Sequence, residues 1–266
     1  MDRHDCYEVC VQSPRHVSAF LHAVHGNQPV VLREDFCGTA ALSRQWIEDG
    51  RSAGAKRRAI GIDLDAEVLA RAAQENERAG MDVDIRLVRG DLRERMAGAG
   101  SERGGCDVAF AGNFSSGYLH DRATLMGYLR GVRGAMNTGG VFVCDTYTGP
   151  GVFKEGAVTR VHPGRGHETV RYTWEQRDAD ALMAMVTNVL HFQVEVDGEV
   201  VARYPEAFVY RWRLWSIPEL REAMREAGFG ATNVYQDVGS AAEPMGHGRE
   251  LREAGIVCVV GRVGTN

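Results

Sequence analysis

The sequence predicts an α/β domain: a doubly wound, mostly parallel sheet interrupted by an antiparallel β insertion. Three observations predict it. Between residues 29 and 146, apolar runs of strand length alternate with helical patterns. Residues 147–213 switch to two-residue alternation, and from 214 to 266 the helix-and-strand spacing returns.

The parallel strands are expected at Pro29 to Glu34, Ala59 to Asp63, Val83 to Val88, Asp107 to Ala111 and Val141 to Asp145. Helical patterns separate them: Ala40 to Ile47, Asp65 to Ala79 with Val68, Leu69 and Ala72 on one face, and Asp121 to Met136 with Leu125, Leu129 and Val132. In the insertion, Thr169 to Arg177 and Leu182 to Val196 alternate as strands do, and Asp197-Gly198 reads as a two-residue hairpin turn needing positive φ. Ser216-Ile217-Pro218-Glu219 is a capping box with proline in the first turn, opening a helix that stops at Gly228. Val234 and Ile256 to Val260 complete seven sheet strands. Residues 1–28, with a helical pattern from Pro14 to His25, form a cap segment ahead of the sheet. The glycine-rich stretch Ala97 to Gly105, and Pro163 to Gly166 between His162 and His167, read as loops, and no histidine set has metal-ligand spacing.

Composition excludes several function classes. The 266 residues are 44% hydrophobic and 25% charged, with a net charge of −5, which suits a globular protein and gives no basic footprint for nucleic acid. No apolar run reaches the ~20 residues of a membrane span, and the opening MDRHDCYEVC lacks a signal-peptide pattern, so a cytoplasmic protein without membrane contact is expected. The 6 cysteines have no CxxC spacing and read as reduced thiols.

The chemistry concentrates at the strand ends. The first strand runs into Glu34-Asp35-Phe36-Cys37-Gly38-Thr39-Ala40, a small-residue turn that opens a helix and offers its unpaired N–H groups to a ligand. The second ends at Asp63, 25 residues beyond Gly38, where a carboxylate can accept ribose hydroxyls. The third ends at Asp91-Leu92, an acid beside a backbone N–H suited to an adenine edge; the fourth ends at Asn113. Four polar strand ends thus share the sheet edge at which α/β folds bind ligands.

On these residues, and on TLMGYLRGVRGAMNTGGVFVCD and LWSIPELREAMREAGF further along, the chain resembles the class I S-adenosylmethionine-dependent methyltransferases. The resemblance implies a Rossmann-like seven-stranded sheet, S-adenosylmethionine as cofactor with S-adenosylhomocysteine as product, and a small-molecule acceptor beneath the insertion. It implies that Asp63 and Leu64 hold the ribose, Asp91 and Leu92 the adenine, and Arg33, Glu34, Phe36, Gly38, Thr39 and Tyr7 the methionine portion, with Asn113 to Tyr118 facing the methyl group. His120, Tyr118 and His191 are candidate catalytic bases, and Tyr118, Tyr147 and Arg211 candidate substrate contacts. One departure stands out. Phe36 and Ala40 occupy the first and third glycine positions of the family's loop, so either the cofactor lies differently or the backbone arrives without positive φ. A nicotinamide-dependent oxidoreductase and a non-catalytic cofactor-binding protein are the alternatives, and exposed insertion strands leave a homo-oligomer open.

Overall fold

The computed structural model describes residues 1–93, 105–236, 238, 243–246 and 255–264; the predicted loop from residue 97 to 104 lies outside them. The chain starts with helices α1 (Arg3–Cys10) and α2 (Pro14–His25). The parallel unit follows as β1 (Val31–Asp35), α3 (Ala41–Ser52), β2 (Arg58–Asp63), α4 (Ala66–Arg78), β3 (Ile85–Arg89), β4 (Cys106–Ala111), a single 3-10 turn at Ser115–Tyr118, α5 (Arg122–Gly134) and β5 (Met136–Thr148). Next come β6 (Gly156–Pro163), β7 (Glu168–Asp180), β8 (Met185–Val196) and β9 (Glu199–Arg213), and then α6 (Ile217–Glu226), β10 (Ala231–Tyr235) and β11 (Gly255–Arg262).

The first sheet has 7 strands in the order β10-β11-β5-β4-β1-β2-β3, and the second has 4 in the order β6-β7-β8-β9. Strands β1 to β5 pair in parallel, whereas β11 runs antiparallel to both β5 and β10. Strand order reverses between β1 and β4, so their connections leave in opposite directions and open a crevice at the carboxyl ends. Apolar residues cover both faces. Phe20, Leu21, Trp46 and Ile47 of α2 and α3 pack on one side, and Leu125, Leu129, Leu220 and Met224 of α5 and α6 on the other. That is why Val141 to Cys144 read as a continuous apolar run: every residue in it is buried.

Local signals fall where the sequence puts them. The Asp65 side chain accepts from the N–H groups of Glu67 and Val68, Asp121 accepts from Thr124, and Ser216 and Glu219 cap α6 reciprocally. Asp197 (φ 51°) and Gly198 (φ 84°) turn β8 into β9 with Val196 opposite Glu199, the left-handed pair a tight hairpin needs. Two elements were not expected. Helix α1 is short and polar, and β6 is an exposed edge strand that includes His162, part of which read as loop. All 6 cysteines are unpaired thiols, 5 of them buried. No helix among the described residues is long and apolar enough to cross a membrane.

The alternation of β1 corrects one site expectation. Leu32 and Glu34 point to one face, which leaves Arg33 and Asp35 on the other, away from the crevice. There the Arg33 Nε donates to Asp35 Oδ1 at 2.8 Å, and the Tyr128 hydroxyl donates to Asp35 Oδ2 at 2.8 Å, both carboxylate and guanidinium being buried. Arg33 is therefore a buried ion-pair partner of Asp35, beside Tyr128 of α5, and does not line the cavity at the strand ends. Removing one member leaves the other charge buried, so Arg33→Met is expected to cost about 3–5 kcal/mol in urea unfolding. A variant as stable as the wild type would show that the pair contributes nothing.

Candidate functional site

A cavity of about 590 Å³ opens where β1, β2, β3 and β4 end. Its floor comprises Phe36, Gly38, Thr39, Asp63, Leu64, Asp91, Leu92 and Asn113, and Tyr7, Phe208, Tyr210 and Trp212 of α1 and β9 close it from above. A cavity of this size suits a cofactor or a small metabolite.

The loop from β1 to α3 is left-handed at three places, Phe36 (φ 56°), Gly38 (φ 54°) and Ala40 (φ 58°). The missing glycines therefore do not remove the positive φ, and the second of the two expectations for this loop is overturned. A non-glycine residue holds such a conformation at roughly 1–2 kcal/mol, which its surroundings must offset. The surroundings are visible. Asp63 Oδ2 accepts from Gly38 N at 2.8 Å and Oδ1 from Asp65 N at 3.0 Å, so one carboxylate ties the loop to the end of β2. Glu34, below, accepts from Ser43 N at 2.9 Å and from the Ser43 hydroxyl. Glu34 thus braces the first turn of α3 and does not line the cavity. Ala40 itself offers α3 no side-chain cap. Cys37 is sealed against Gly61, where a Cβ would sit 2.9 Å from its sulfur, and burial holds its thiol well above the usual range. That thiol is inert.

Asp91 reaches the cavity, but Arg93 clasps it, Nε to Oδ1 at 2.9 Å and Nη2 to Oδ2 at 2.6 Å, which holds its pKa below the usual carboxylate range. Beyond β4, Asn113 (φ 54°) and Phe114 (φ 62°) are left-handed in succession. The enclosed carboxylate of Asp145, at the end of β5, receives both of their N–H groups, at 2.9 and 2.6 Å. The turn that follows carries Tyr118 into the cavity and meets β9 so closely that a Cβ on Gly117 would lie 2.7 Å from Trp212 Cβ. Burial pushes the Tyr118 phenol up to about 12, so near neutral pH it keeps its proton.

Four other expected site residues lie outside this cavity. His120 is exposed, and its Nε2 donates to the Arg211 carbonyl at 2.9 Å. Arg211 alternates with the inward Tyr210 and Trp212 and so faces solvent. His191 lies on the outer side of the insertion sheet, where Nδ1 accepts from Glu206 N at 3.1 Å and Nε2 meets Glu175 at 2.9 Å. Tyr147 points into a different cavity behind Phe114. Sequence reasoning missed His4, Gln12, Phe208 and Arg93 in the lining, and Asp145 beneath it. The alternation of Tyr210, Trp212 and Leu214 with Arg211 and Arg213 is the sequence signal for the inward face of β9.

Burial pushes the carboxyls of Glu34 and Asp145 up to about 7, outweighing their N–H donors. A carboxyl with a raised folded pKa binds more protons folded than unfolded between about pH 4 and pH 7. Its contribution is complete below that window and is lost as pH rises through it. Asp145→Asn removes the titration, so between pH 5 and pH 8 the stability difference should move in favour of the variant. Urea unfolding at the two pH values reads this directly, and an unchanged difference would exclude the raised pKa.

No protein-family pattern and no curated protein sequence matches the chain. Solved structures do. An S-adenosylmethionine-dependent methyltransferase from Clostridium acetobutylicum superposes with a TM-score of 0.69 at 17% identity, over 97% of this chain and 96% of that one. DesVI from Streptomyces venezuelae gives 0.69 at 18% identity over 100% and 99%, and the sugar N-methyltransferase KedS8 from Streptoalloteichus sp. gives 0.68 at 17% over 98% and 93%. The chain has the fold of class I S-adenosylmethionine-dependent methyltransferases, complete with an antiparallel insertion.

Proposed function

We propose that this protein transfers a methyl group from S-adenosylmethionine to the amine nitrogen of a small molecule. The observation that carries the reading is the composition of the cavity, which combines acids with aromatic rings. Asp63 and Asp91 line it from the ends of β2 and β3, and Tyr7, Phe36, Tyr118, Phe208, Tyr210 and Trp212 contribute rings to the same lining. The volume, the left-handed loop at Gly38 and the uncapped start of α3 fit the cofactor's size, its close approach and its carboxylate.

In this reading Asp63 accepts the ribose hydroxyls while still holding the Gly38 N–H. Asp91 and the Leu92 backbone read the adenine, with Arg93 shifting aside or sharing the carboxylate. Thr39, Leu64, Asn113 and Tyr7 complete the cradle. Bound there, the cofactor supplies an electrophilic methyl on a good leaving group. The protein's work is alignment, water exclusion and charge stabilisation.

Ring faces attract cations, and both a sulfonium and a methylated amine are cations. A neutral amine attacks through its lone pair without prior proton removal, and the phenol nearest the reacting end, Tyr118, is held in its protonated form. A hydroxyl acceptor would need a base at that end. The similarity to a sugar N-methyltransferase supports the same choice.

Residues 29–146 and 214–266 would then form the cofactor-binding unit, 147–213 the roof over the acceptor, and 1–28 the cap. The net charge of −5 supports a partner other than nucleic acid, and a cytoplasmic site of action is consistent with the unpaired thiols. The free edge of β6 supports pairing between copies.

Two outcomes test the proposal. Asp63→Ala should weaken S-adenosylhomocysteine binding in calorimetry by about 1.5–3 kcal/mol, roughly ten- to hundredfold, for each charge-assisted hydrogen bond lost. Unchanged affinity would remove Asp63 from the site. With methyl-labelled S-adenosylmethionine, a panel of small amines and their alcohol counterparts should show label only in amines, at a rate that rises with pH as the amine deprotonates. Label confined to the alcohols would overturn the choice of nitrogen.

A further inference from the structure

A second cavity, also about 590 Å³, lies behind Phe114. It sits between the tail of β5 and the inward side of β6 and β7. Phe114 divides it from the first cavity, packing against Tyr147, Trp174 and Trp212 with ring centroids 5.0, 5.6 and 5.6 Å away. We propose that this cavity binds a small organic anion that carries a planar ring. The proposal does not rest on methyl transfer.

The argument begins with register. On β6, Gly156, Val158 and Arg160 stand opposite Gln176, Trp174 and Tyr172 of β7, so all six share one face, the cavity side. Trp174, Tyr172, Tyr147 and Phe114 supply ring walls for a flat ligand. These walls are fixed beforehand. Trp174 Nε1 donates to Asn188 Oδ1 at 2.5 Å, Asn188 Nδ2 donates to the Tyr147 hydroxyl at 3.0 Å, and that hydroxyl donates to Gln176 Oε1 at 3.0 Å. Gln176 Nε2 in turn donates to the carbonyls of Val152 and Lys154, at 2.7 and 3.1 Å, and so fastens the loop that forms the rim. A wall held in this way loses little entropy when a ligand arrives.

Among the described lining residues, one phenol and two cations have no hydrogen-bond or ion-pair partner, and neither does the carboxylate of Glu155. The Tyr172 hydroxyl makes no hydrogen bond although its residue is 5% exposed. Lys154 and Arg160, both exposed, make no ion pair, whereas Arg171 and Arg177 of the neighbouring strand are paired with acids. Glu155 is the acid on the same rim, leaving it one positive charge in excess on a chain whose net charge is −5. Two free cations and a phenol donor above aromatic walls select a ring with a carboxylate, sulfonate or phosphate.

The probes are naphthalene-2-sulfonate and the neutral 2-naphthalenemethanol, which share a ring system and differ in charge. Calorimetry on the full chain should give one site for the sulfonate, at least about tenfold tighter than the alcohol. Lys154→Ala with Arg160→Ala should erase that difference without lowering the melting temperature, because both side chains are exposed. Tyr172→Phe should weaken the sulfonate alone. Saturating S-adenosylhomocysteine should leave the sulfonate affinity unchanged, because Phe114 separates the two cavities. Equal binding of both probes, no effect of the double substitution, or displacement of the sulfonate by S-adenosylhomocysteine would overturn the proposal.

Discussion

Backbone amides at the carboxyl edge of the sheet are held by carboxylates, and the geometry of the site depends on this. Asp63 fixes Gly38 and Asp65, Asp145 fixes Asn113 and Phe114, and Glu34 fixes Ser43. The bonds to Gly38, Asn113 and Phe114 fall on residues with positive φ, and those to Asp65 and Ser43 hold the starts of the following helices. Phe36, Ala40, Asn113 and Phe114 all have positive φ, and none is glycine. A left-handed conformation in ordinary residues persists only where the surroundings over-determine it, and such positions gather at binding sites. Here the surroundings are acids from neighbouring strands, so the strain and its restraint come from different parts of the chain.

The same acids are in tension with their own burial. Glu34 and Asp145 both lie where desolvation opposes their charge, which leaves them near the midpoint of titration around neutral pH. Asp63 differs, standing partly exposed at the mouth, where one carboxylate can hold a loop and still meet a ligand. Glu34 and Asp145 brace the framework from within, whereas Asp63, at the end of β2, lines the cavity.

Closure from above combines ion pairs with apolar packing, since Cys6 is buried against Val170, Tyr172 and Phe192 of the insertion sheet. Helix α1 is held by Arg71 to Asp2 and Asp5, by Arg165 to Asp5 and Glu8, and by Arg44 to Glu8, which also accepts from the Thr39 hydroxyl. Pairs of this kind are individually weak at a surface, but here they form a network joining α1 to the β1–α3 loop, α4 and the β6–β7 connection. Tyr7 and His4 reach Phe208 from the same helix, with ring centroids 5.1 and 5.5 Å apart, so the roof of β9 and the cap of α1 meet over the cavity.

The sequence by itself determined the mostly parallel character of the sheet, the antiparallel strands of the insertion, the Asp197-Gly198 turn and the caps at Asp65, Asp121 and Ser216. Those features are local: periodicity, capping and turn chemistry act over a few residues. Helix α1 escaped because the capping box of Asp2 and Asp5 opens a short polar helix with no apolar period, tied down by distant partners such as Arg71 and Arg165, and β6 because a solvated edge strand has no apolar face to alternate. The tertiary structure alone decided where side chains point. It turned Arg33 into the core, His191 and Arg211 outward, and Tyr147 behind Phe114, and it brought Asp145 beneath Asn113. Each of these depends on which strand lies beside which, and on the face the sheet turns to its roof, and a one-residue shift in register would reverse every one of them.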